Sequence, residues 1–258
     1  MVTLGRHNRH MGRIVAVANQ KGGVAKTTTA ITVASALAES GKRVLVVDLD
    51  AQACATFSLG IDPEDLPAEL PRTYLSGEGD PPIIRTEEGV DLLPATIDLA
   101  SADHDFAGGA GRERMLERIV DPLRDVYDYI VIDCSPSLGL MTINALVAAD
   151  EVLVPLKCET LAHRGLGQLM EAIEEVQRWA NPTLSVAGLV PTLFDGRTTH
   201  ARAILADLGP RFEVPVLEAI PRSVRFAEAP AIGRTILATA PRSEGAAAYR
   251  RVAQALDS

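Results

Sequence analysis

The stretch Asn19-Gln20-Lys21-Gly22-Gly23-Val24-Ala25-Lys26-Thr27-Thr28 lies between an apolar run, Ile14 to Ala18, and a stretch of helical character, Thr29 to Glu39. A glycine-rich turn that ends in Lys-Thr between a strand and a helix predicts a phosphate-binding loop. Its backbone N–H groups and the positive end of the helix dipole would face the phosphates. Lys26 would reach the β- and γ-phosphates of a nucleotide, and the Thr27 hydroxyl would bind Mg²⁺.

The loop departs from the usual phosphate-loop pattern, G-x-x-x-x-G-K-[ST]. Gln20 and Ala25 occupy the two glycine positions, and a second lysine, Lys21, stands near the start of the loop. The alternative interpretation is an ordinary strand–turn–helix that happens to carry two lysines. The flanking strand and helix favour the phosphate loop, because a phosphate site of this kind needs a helix start behind the turn.

The amino-acid composition limits the classes of protein to which this chain can belong. The chain has 258 residues, of which 47% are hydrophobic and 23% are charged, which is enough for one large α/β domain. The cysteines show no C-x-x-C spacing, which argues against a disulfide framework, a zinc ribbon or an obvious iron–sulfur site. No apolar run approaches the roughly 18 residues of a membrane span. We therefore expect a cytoplasmic protein in which a disordered tail, residues 1–12, precedes a single domain, residues 13–258.

The net charge of −9 is unevenly distributed along the chain. Residues 181–258 carry nine arginines and seven acidic residues, so the excess of negative charge lies in residues 1–180. An acidic protein can still bind nucleic acid through a local basic patch. The overall charge therefore does not exclude DNA as a partner.

Short apolar runs alternate with stretches of helical period. The predicted strands are Ile14–Ala18, Val44–Val47, Tyr129–Ile132, Val152–Pro155, Val186–Val190 and Val216–Ile220. The predicted helices are Thr28–Glu39, with Gly41 beyond its end, Arg112–Arg124, Leu138–Ala148, Leu161–Trp179, Thr199–Ala206 and Gly245–Leu256. We therefore predict an α/β fold with a doubly wound, mostly parallel sheet and helices on both faces, in which residues 60–90 form a surface excursion with short elements at most.

Carboxylates follow two of the predicted strands. Asp48 and Asp50 follow the strand Val44–Val47, and Asp133 follows Tyr129–Ile132. Ligands of doubly wound sheets bind beyond the carboxyl ends of the strands, where the phosphate loop also lies. One residue of the first pair could hold a Mg²⁺ water while the other orients an attacking water, and Asp133 has the position of a Walker B aspartate. A polar turn that caps a strand is the alternative for each carboxylate.

Further motifs recur beyond the loop. They are Val47-Asp48-Leu49-Asp50, Asp91-Leu92-Leu93-Pro94, Asp133-x-x-Pro136-Ser137-Leu138-Gly139, Pro191-Thr192-Leu193-Phe194-Asp195-x-Arg197-Thr198 and Ile220-Pro221-Arg222-x-Val224-Arg225-x-x-Glu228-Ala229-Pro230. Together with Lys21-Gly22-Gly23-Val24-x-Lys26-Thr27-Thr28, they make nearly the whole chain from Arg13 resemble the ParA/Soj branch of the ParA/MinD class of P-loop ATPases, which carry a deviant Walker A motif.

The resemblance implies an ATP- and Mg²⁺-dependent partition protein of chromosomes or plasmids. Such a protein forms an ATP-bound homodimer that binds double-stranded DNA without sequence preference. A ParB-type partner then triggers hydrolysis and release, and hydrolysis is slow without the partner and DNA. The resemblance thus implies a nucleoid-associated protein with no membrane partner.

The resemblance also implies roles for the loop residues. Lys21 would be the signature lysine that reaches the nucleotide of the partner subunit, and such a cation in trans would link hydrolysis to dimerisation. Lys26 would grip the β- and γ-phosphates, and Thr28 would contact the α-phosphate. The expected nucleotide-binding residues are Gly22, Gly23, Val24, Ala25, Lys26, Thr27 and Thr28, with Pro221 and Arg222 near the adenine.

Outside the loop, the resemblance implies a catalytic role for Asp50, which would position the attacking water. Asp48 and Asp133 would lie around the Mg²⁺ hydration shell. Arg197 and Arg225 match positions that the family uses to contact the DNA backbone, a role that suits arginine because its planar fork is always charged. A solvated surface charge is the alternative for each arginine.

Four positions depart from the family pattern. Ala25 replaces a glycine of the loop; alanine would cost on the order of 1–2 kcal/mol if φ is positive there, and with a negative φ its methyl group would be tolerated but would crowd the phosphates. In either case slow hydrolysis is expected. Ala51 and Ser135 each replace a proline, and Arg164 stands where many relatives have an acidic residue. The N-terminal DNA-binding domain of some plasmid relatives is missing, so operator binding is not expected.

Two alternatives stay open for the role of the chain. A MinD-like membrane ATPase would need a C-terminal amphipathic helix with bulky apolar residues, but the apolar residues of 246–258 are mostly alanine, which suggests a helix packed on the sheet. An adaptor ATPase that positions another cellular cargo would use the same switch. Iron–sulfur carriers and bacterial tyrosine kinases of the superfamily fit less well, because paired cysteines and a tyrosine-rich tail are missing.

Overall fold

A computed structural model describes residues 11–106, 108–160 and 162–258. The strands in these residues are β1 Arg13–Val17, β2 Val44–Leu49, β3 Ile84–Arg85, β4 Asp91–Leu93, β5 Tyr129–Cys134, β6 Glu151–Lys157 and β7 Ser185–Thr192. The α-helices are α1 Lys26–Glu39, α2 Cys54–Ser58, α3 Leu70–Ser76, α4 Ala102–Asp105, α5 Met115–Val120, α6 Leu140–Ala148, α7 Ala162–Trp179, α8 Thr199–Phe212, α9 Arg225–Glu228, α10 Ile236–Thr239 and α11 Glu244–Leu256.

The strands form one sheet in the order β3-β4-β2-β5-β1-β6-β7. All neighbouring strands are parallel except β3 and β4, which are antiparallel. The predicted doubly wound, mostly parallel sheet is therefore confirmed. β1 lies between β5 and β6, so the loop that follows it opens at the middle of the carboxyl edge.

The strand sequences are apolar throughout because helices cover both faces of the sheet. Ile14 and Ala16 of β1 pack in one buried cluster, whereas Val15 and Val17 pack in the other. This alternation follows from the two-residue period of a strand. The first cluster includes residues of α3, α5, α6, α7 and α8, and the second includes residues of α1, α2, α10 and α11.

One predicted strand is wrong. Residues 216–220 form no regular strand; isolated bridges join Val216 to Leu189 and the next residue, Pro221, to Phe194. Prolines 215 and 221 flank this segment, and a proline has no N–H group to donate to a ladder. The segment still follows β7, because Leu217 N donates to Leu189 O (2.8 Å).

The helices are broadly as predicted, with differences at their ends. The predicted helix Arg112–Arg124 is broken into a 3₁₀ turn, α5 and a second 3₁₀ turn with Pro122 in its first turn. Gly41 ends α1 with φ 92°, and the N–H groups of Gly41 and Lys42 donate to carbonyls of the last helical turn. This is the C-terminal glycine that the sequence predicts. Residues 1–10 of the predicted tail lie outside the described residues.

Candidate functional site

The predicted phosphate loop, residues 18–25, connects β1 to α1 at the carboxyl end of the central strand. Its backbone enters the left-handed region twice, at Gly23 (φ 68°) and at Ala25 (φ 63°, ψ 39°). Position 25 therefore has a positive φ, which is one of the two alternatives that the sequence left open for it. Alanine is strained in this conformation by about 1–2 kcal/mol relative to a residue without a Cβ.

Neighbouring strands hold the loop in place. The amide of buried Asn19 donates to the carbonyl of Pro155 in β6 (2.7 Å), and its oxygen accepts from the backbone N–H of Lys21 (2.9 Å). The hydroxyl of Thr192, at the end of β7, donates to the carbonyl of Val24 (2.9 Å). The loop is thus anchored to the strands on one side of the sheet, which preorganises its N–H groups for a ligand.

The ammonium group of Lys26 is buried at the start of α1. Its Nζ donates to the carbonyl of Lys21 (3.3 Å) and makes no ion pair within the described part of the chain. Burial lowers the pKa of Lys26, while the carboxylates of Asp133 and Asp50 oppose this shift. A buried cation without a close anion is costly, so its presence points to an anionic ligand at this position.

Two buried carboxylates lie on adjacent strands, and one of them, Asp133, faces this lysine. Asp48 of β2 and Asp133 of β5 are paired in register, and neither is exposed. Both carboxylate oxygens of Asp133 lack a hydrogen-bond partner in the residues that the structure describes. Burial and then the charge of Asp48 raise the pKa of Asp133 well above its ordinary value, whereas the nearby Thr27 hydroxyl opposes this shift. Buried carboxylate oxygens without partners fit a hydrated Mg²⁺ ion.

Asp48 and Asp50 have different surroundings. Asp48 accepts from the N–H and the hydroxyl of Thr56 (both 2.8 Å) and from the N–H of Asp50 (3.1 Å). Burial raises the pKa of Asp48 to about 6, although these hydrogen bonds oppose the shift. Asp50 is only partly buried, and its carboxylate accepts from the N–H of Gln52 (3.1 Å). The structure therefore places a fixed, buried carboxylate beside one that is open to the site.

Two side chains near the end of β6 lie against the loop. Lys157 is the last residue of this strand, and Glu159 follows it. Lys21 Nζ forms an ion pair with Glu159 Oε2 at 2.6 Å, which lowers the pKa of Glu159. A Cβ built on Gly23 would lie 4.0 Å from Lys157 Nζ, so this ammonium faces the loop. Lys21 is thus held by an anion of its own chain, and Lys157 adds a third cation to the loop.

The two arginines expected at DNA are separate from this buried site. Arg197 lies between β7 and α8; its side chain is 90% exposed and bonds both carboxylate oxygens of Asp195 (each 2.9 Å). Arg225 begins α9 and is exposed, with no ion pair in the described chain. The bridge between Phe194 and Pro221 joins the two segments that carry these arginines.

The residues expected near the adenine lie on the same bridge. Pro221 is partly buried against Phe194, and Arg222 is exposed. Arg222 lines a small cavity of about 230 Å³ together with Lys157 and Glu159. Arg222 therefore adjoins the phosphate loop through these two residues.

The other three residues that depart from the family pattern have defined positions in the structure. Ala51 is partly buried just after Asp50, and Arg164 is exposed on α7. The hydroxyl of Ser135 lies 3.1 Å from that of Ser137 and 3.4 Å from that of Thr142. Nothing in the structure explains these three substitutions.

A phosphate loop on the central strand, with carboxylates on the adjacent strands, defines a P-loop nucleoside triphosphatase. Residues 12–186 match the AAA domain family. The sporulation initiation inhibitor protein Soj of Bacillus subtilis is 42% identical over 95% of this chain and 98% of its own length. The chromosome-partitioning ATPase Soj of Thermus thermophilus is 45% identical over 94% of each chain. The chain therefore belongs to the ParA/Soj family of P-loop ATPases.

A solved structure shares this fold closely. The cobyrinic acid a,c-diamide synthase of Mycobacterium smegmatis, with bound ADP and magnesium, is 49% identical, covers 95% of this chain and 94% of its own, and has a TM-score of 0.84. A structure of the same protein contains an ATP analogue and magnesium. The fold of this chain is thus one that accommodates a magnesium nucleotide.

Sequence reasoning missed three residues at this site. Thr56 donates to Asp48, Glu159 pairs with Lys21, and the ammonium group of Lys157 faces the loop near Gly23. No recognisable sequence pattern points to Thr56. Lys157 and Glu159 follow the predicted strand Val152–Pro155, as Asp133 follows Tyr129–Ile132, so their place at the carboxyl edge of the sheet was the available signal.

Proposed function

We propose that this chain is a partition ATPase that dimerises with ATP, binds DNA without sequence preference and is released after hydrolysis stimulated by a ParB-type partner. In this proposal residues 13–258 act as one ATPase domain, and the protein is nucleoid-associated. The observation that carries the nucleotide site is buried Lys26 beside Asp133: within the described residues, Lys26 makes no ion pair and the carboxylate oxygens of Asp133 have no hydrogen-bond partner. Such groups are costly to bury, and an ion or a phosphate between them would offset that cost.

The loop would bind ATP by its backbone and its cations. Gly22, Gly23, Val24 and Ala25 would present N–H groups, Lys26 would contact the β- and γ-phosphates, and Thr28 would contact the α-phosphate. When bound, Mg²⁺ neutralises phosphate charge and organises the γ-phosphate for attack. Thr27 and Asp133 would hold it, Asp133 through water, with Asp48 beside them. The described residues contain no cluster of three or more His, Cys, Asp or Glu side chains arranged for a metal, so phosphate oxygens and waters would complete the shell.

Hydrolysis would use the open carboxylate and the second lysine. Asp50 would orient the attacking water, because its carboxylate is partly exposed near Lys26. Lys21 would leave Glu159 and reach the phosphates bound by the partner subunit. That exchange makes the cation available only in the dimer, which would keep the monomer slow.

DNA would bind to the surface around Arg197 and Arg225. Both side chains are exposed, and the bridge between Phe194 and Pro221 ties their segments together. Phosphate contacts by arginine give affinity without reading the base sequence. Among the described residues, no helix is long and apolar enough to cross a membrane. The apolar face of α11 packs in the core against α1, which leaves it no free face for a bilayer.

Fluorescence anisotropy with a random-sequence duplex of about 60 base pairs tests this proposal. Binding should require ATP and should weaken between about 50 and about 200 mM salt. Binding should be absent with ADP or without nucleotide. If ATP binds but DNA does not bind in any nucleotide state, the partition function is wrong and an adaptor or a MinD-like role becomes the better proposal.

The similarity to the cobyrinic acid a,c-diamide synthase of M. smegmatis raises amide synthesis as a second activity. A synthase that takes ammonia from glutamine would use an activated thiolate. Burial raises the pKa of Cys54, Cys134 and Cys158, the last to about 11, which opposes thiolate formation at these positions. Release of glutamate from glutamine in the presence of MgATP would show the amide activity; we expect none.

A further inference from the structure

Leu193 has an unusual backbone conformation in the segment that joins β7 to α8. Its φ is 50°, in the left-handed region that a bulky side chain rarely adopts. It directly follows Thr192, the last residue of β7, and precedes the turn that carries Arg197. Backbone strain persists only where the surrounding structure fixes it, and it is typical of functional sites. The contacts on either side of Leu193 therefore indicate what this strain serves.

The phosphate loop fixes the chain before Leu193. The buried Thr192 hydroxyl lies 2.9 Å from the carbonyl oxygen of Val24 in the loop and 3.1 Å from that of Leu156 in β6. A hydroxyl group has one proton, so it can donate fully to only one of these two carbonyls at a time. A ligand that moves the Val24 carbonyl would shift this hydrogen bond to Leu156 and would release Thr192 from the loop.

Backbone hydrogen bonds fix the chain after Leu193. The N–H of Phe194 donates to the carbonyl of Ile220 (2.9 Å), and the N–H of Arg222 donates to the carbonyl of Phe194 (3.4 Å). The segment on the other side of these bonds leads directly into α9, which begins at Arg225. A change of φ at Leu193 would redirect the chain at Phe194 and would therefore move this segment as well.

The same change of φ would act on Arg197. Both carboxylate oxygens of Asp195 accept from the Arg197 guanidinium (each 2.9 Å), and Oδ1 also accepts from the Arg197 backbone N–H (3.1 Å). The carbonyl of Asp195 accepts from the N–H of Thr198, the N-cap residue of α8 (3.1 Å). These bonds make residues 195–198 a closed turn, so a redirection of the chain at Leu193 would move Arg197 with the whole turn.

We propose that Leu193 is a positioning residue, which couples nucleotide binding at the phosphate loop to the placement of Arg197 and Arg225. ATP would move the Val24 carbonyl, the Thr192 hydroxyl would then donate to β6 alone, and Leu193 would relax to a negative φ. This relaxation would place the two arginines for DNA. The coupling acts within one subunit and is separate from dimerisation. Only the role of the arginines at DNA rests on the proposed function; the movement of the segment does not.

Variants of Leu193 with opposite preferences for the left-handed region test the coupling by DNA anisotropy. Leu193→Gly and Leu193→Asn tolerate this region, so each should weaken DNA binding roughly tenfold at a saturating concentration of a non-hydrolysable MgATP analogue. Leu193→Ile keeps the side-chain size but tolerates a positive φ less, because isoleucine is β-branched, and should strengthen DNA binding without nucleotide several-fold. The matched control is Glu213→Gly, which relieves the same kind of strain (φ 54°) at the C-terminal end of α8 and should bind DNA as the unmodified chain does.

Variants of Thr192 test the link to the phosphate loop. Thr192→Ser keeps the hydroxyl and should keep the nucleotide dependence of DNA binding. Thr192→Val removes the hydroxyl and should strengthen DNA binding without nucleotide several-fold, a condition in which altered ATP affinity has no influence. If Thr192→Val binds DNA without nucleotide no better than Thr192→Ser, the link is wrong. Light scattering on the same samples measures dimerisation, and a loss of DNA binding that only follows a loss of dimers would overturn the coupling within one subunit.

Hydrogen exchange without DNA, measured by NMR, separates this coupling from the proposed function. The MgATP analogue should speed exchange of the Phe194 amide several-fold in the unmodified chain and in Glu213→Gly, but much less in Leu193→Gly. Exchange that ignores the analogue, or responds equally in all three proteins, would overturn the coupling. If exchange responds as expected but DNA binds in no nucleotide state, the partition function is wrong and the coupling stands. If DNA binding needs ATP but is equal in Glu213→Gly and all Leu193 variants, the proposed function stands and the role of Leu193 is wrong.

Discussion

The nucleotide site is buried, whereas the arginine surface, the region around Arg197 and Arg225, is exposed. The two regions therefore differ in how clearly the structure indicates their functions. At the nucleotide site, Lys26, Asp48 and Asp133 are buried ionisable groups, and neither oxygen of Asp133 has a hydrogen-bond partner among the residues that the structure describes. At the arginine surface, Arg197 and Arg225 are exposed, and Arg197 is already paired with Asp195. Burial without compensation costs several kcal/mol in a protein, whereas an exposed arginine costs about nothing.

This comparison shows which parts of the function the fold itself indicates. An unpaired buried charge needs a ligand to explain it, so the structure itself points to a phosphate and a cation. An exposed arginine is equally stable whether or not it ever binds DNA. Variants that impair one region and spare the other therefore test the proposed roles of both regions more stringently than variants of one region alone.

The largest effect is expected at the buried lysine. Lys26→Ala should weaken ATP binding by at least about 100-fold, because it removes a charge-assisted contact to two phosphates in a dry site. ATP-dependent dimerisation should be lost with it. Isothermal titration calorimetry with MgATP measures the first effect, and light scattering measures the second. Lys42→Ala, which removes a partly exposed lysine paired with Asp257, is the control and should bind ATP normally.

The next effect separates binding from hydrolysis. Asp50→Ala should bind ATP as the unmodified chain does, accumulate as an ATP dimer and lose turnover by at least about 100-fold, because the attacking water loses its positioning group. Phosphate release and size-exclusion chromatography measure the two properties. Asp80→Ala changes an exposed aspartate away from the site and should have no effect. Normal turnover by Asp50→Ala would refute the catalytic role.

The third effect belongs to the arginine surface. Arg225→Glu should weaken DNA binding by at least about tenfold and lower the salt dependence, while ATP binding stays unchanged. Arg197→Glu should have a smaller effect, because Asp195 already competes for this guanidinium. Arg178→Glu, at the end of α7, is an exposed control of the same charge change. If all three variants bind DNA equally, the DNA surface lies elsewhere.

The buried carboxylates give the nucleotide site a pH dependence that the arginine surface lacks. The pKa of Asp48 is raised to about 6 in the fold, above the roughly 3.9 of an unfolded aspartate. The folded chain therefore binds the extra proton between these values, and stability without ligand should fall as pH rises from about 4 to about 6.

The Mg²⁺ dependence should have the opposite sign. Protons compete with the ion for Asp48 and Asp133, so the apparent affinity for Mg²⁺ in the presence of nucleotide should rise through the same pH range. Thermal unfolding at several pH values, with and without MgATP, measures both trends. Asp48→Asn should weaken the pH dependence of both the stability and the Mg²⁺ affinity. An unchanged pH dependence in this variant would show that a different group titrates.

The sequence predicts the regular parts of this fold better than its irregular parts. The buried parallel strands are readable because both of their faces are apolar, and Asp48 and Asp133 follow from their positions after such strands. The segment Val216–Ile220 looks like another strand, but its flanking prolines prevent a regular ladder. The ion pair of Lys21 with Glu159 joins residues far apart in the chain, and no local pattern encodes it.

The smallest effect concerns two strained alanines. Ala25 (φ 63°) precedes α1 in the phosphate loop, and Ala53 (φ 48°) precedes α2 after Asp50. Replacing either by glycine relieves about 1–2 kcal/mol of strain but costs about 0.5–1 kcal/mol of unfolded-chain entropy. Ala53 is buried, so its glycine variant also loses about 0.8 kcal/mol of methyl burial, whereas Ala25 is partly exposed.

Ala25→Gly should therefore stabilise the chain by about 0.5 kcal/mol, and Ala53→Gly should leave its stability nearly unchanged. Only Ala25→Gly should also raise the rate of ATP hydrolysis, because it alone removes a methyl group from the phosphate loop. Urea unfolding and steady-state turnover of both variants make the comparison. An equal rise in turnover for the two variants would mean that general loosening of the nucleotide site, and not the methyl group at position 25, limits hydrolysis.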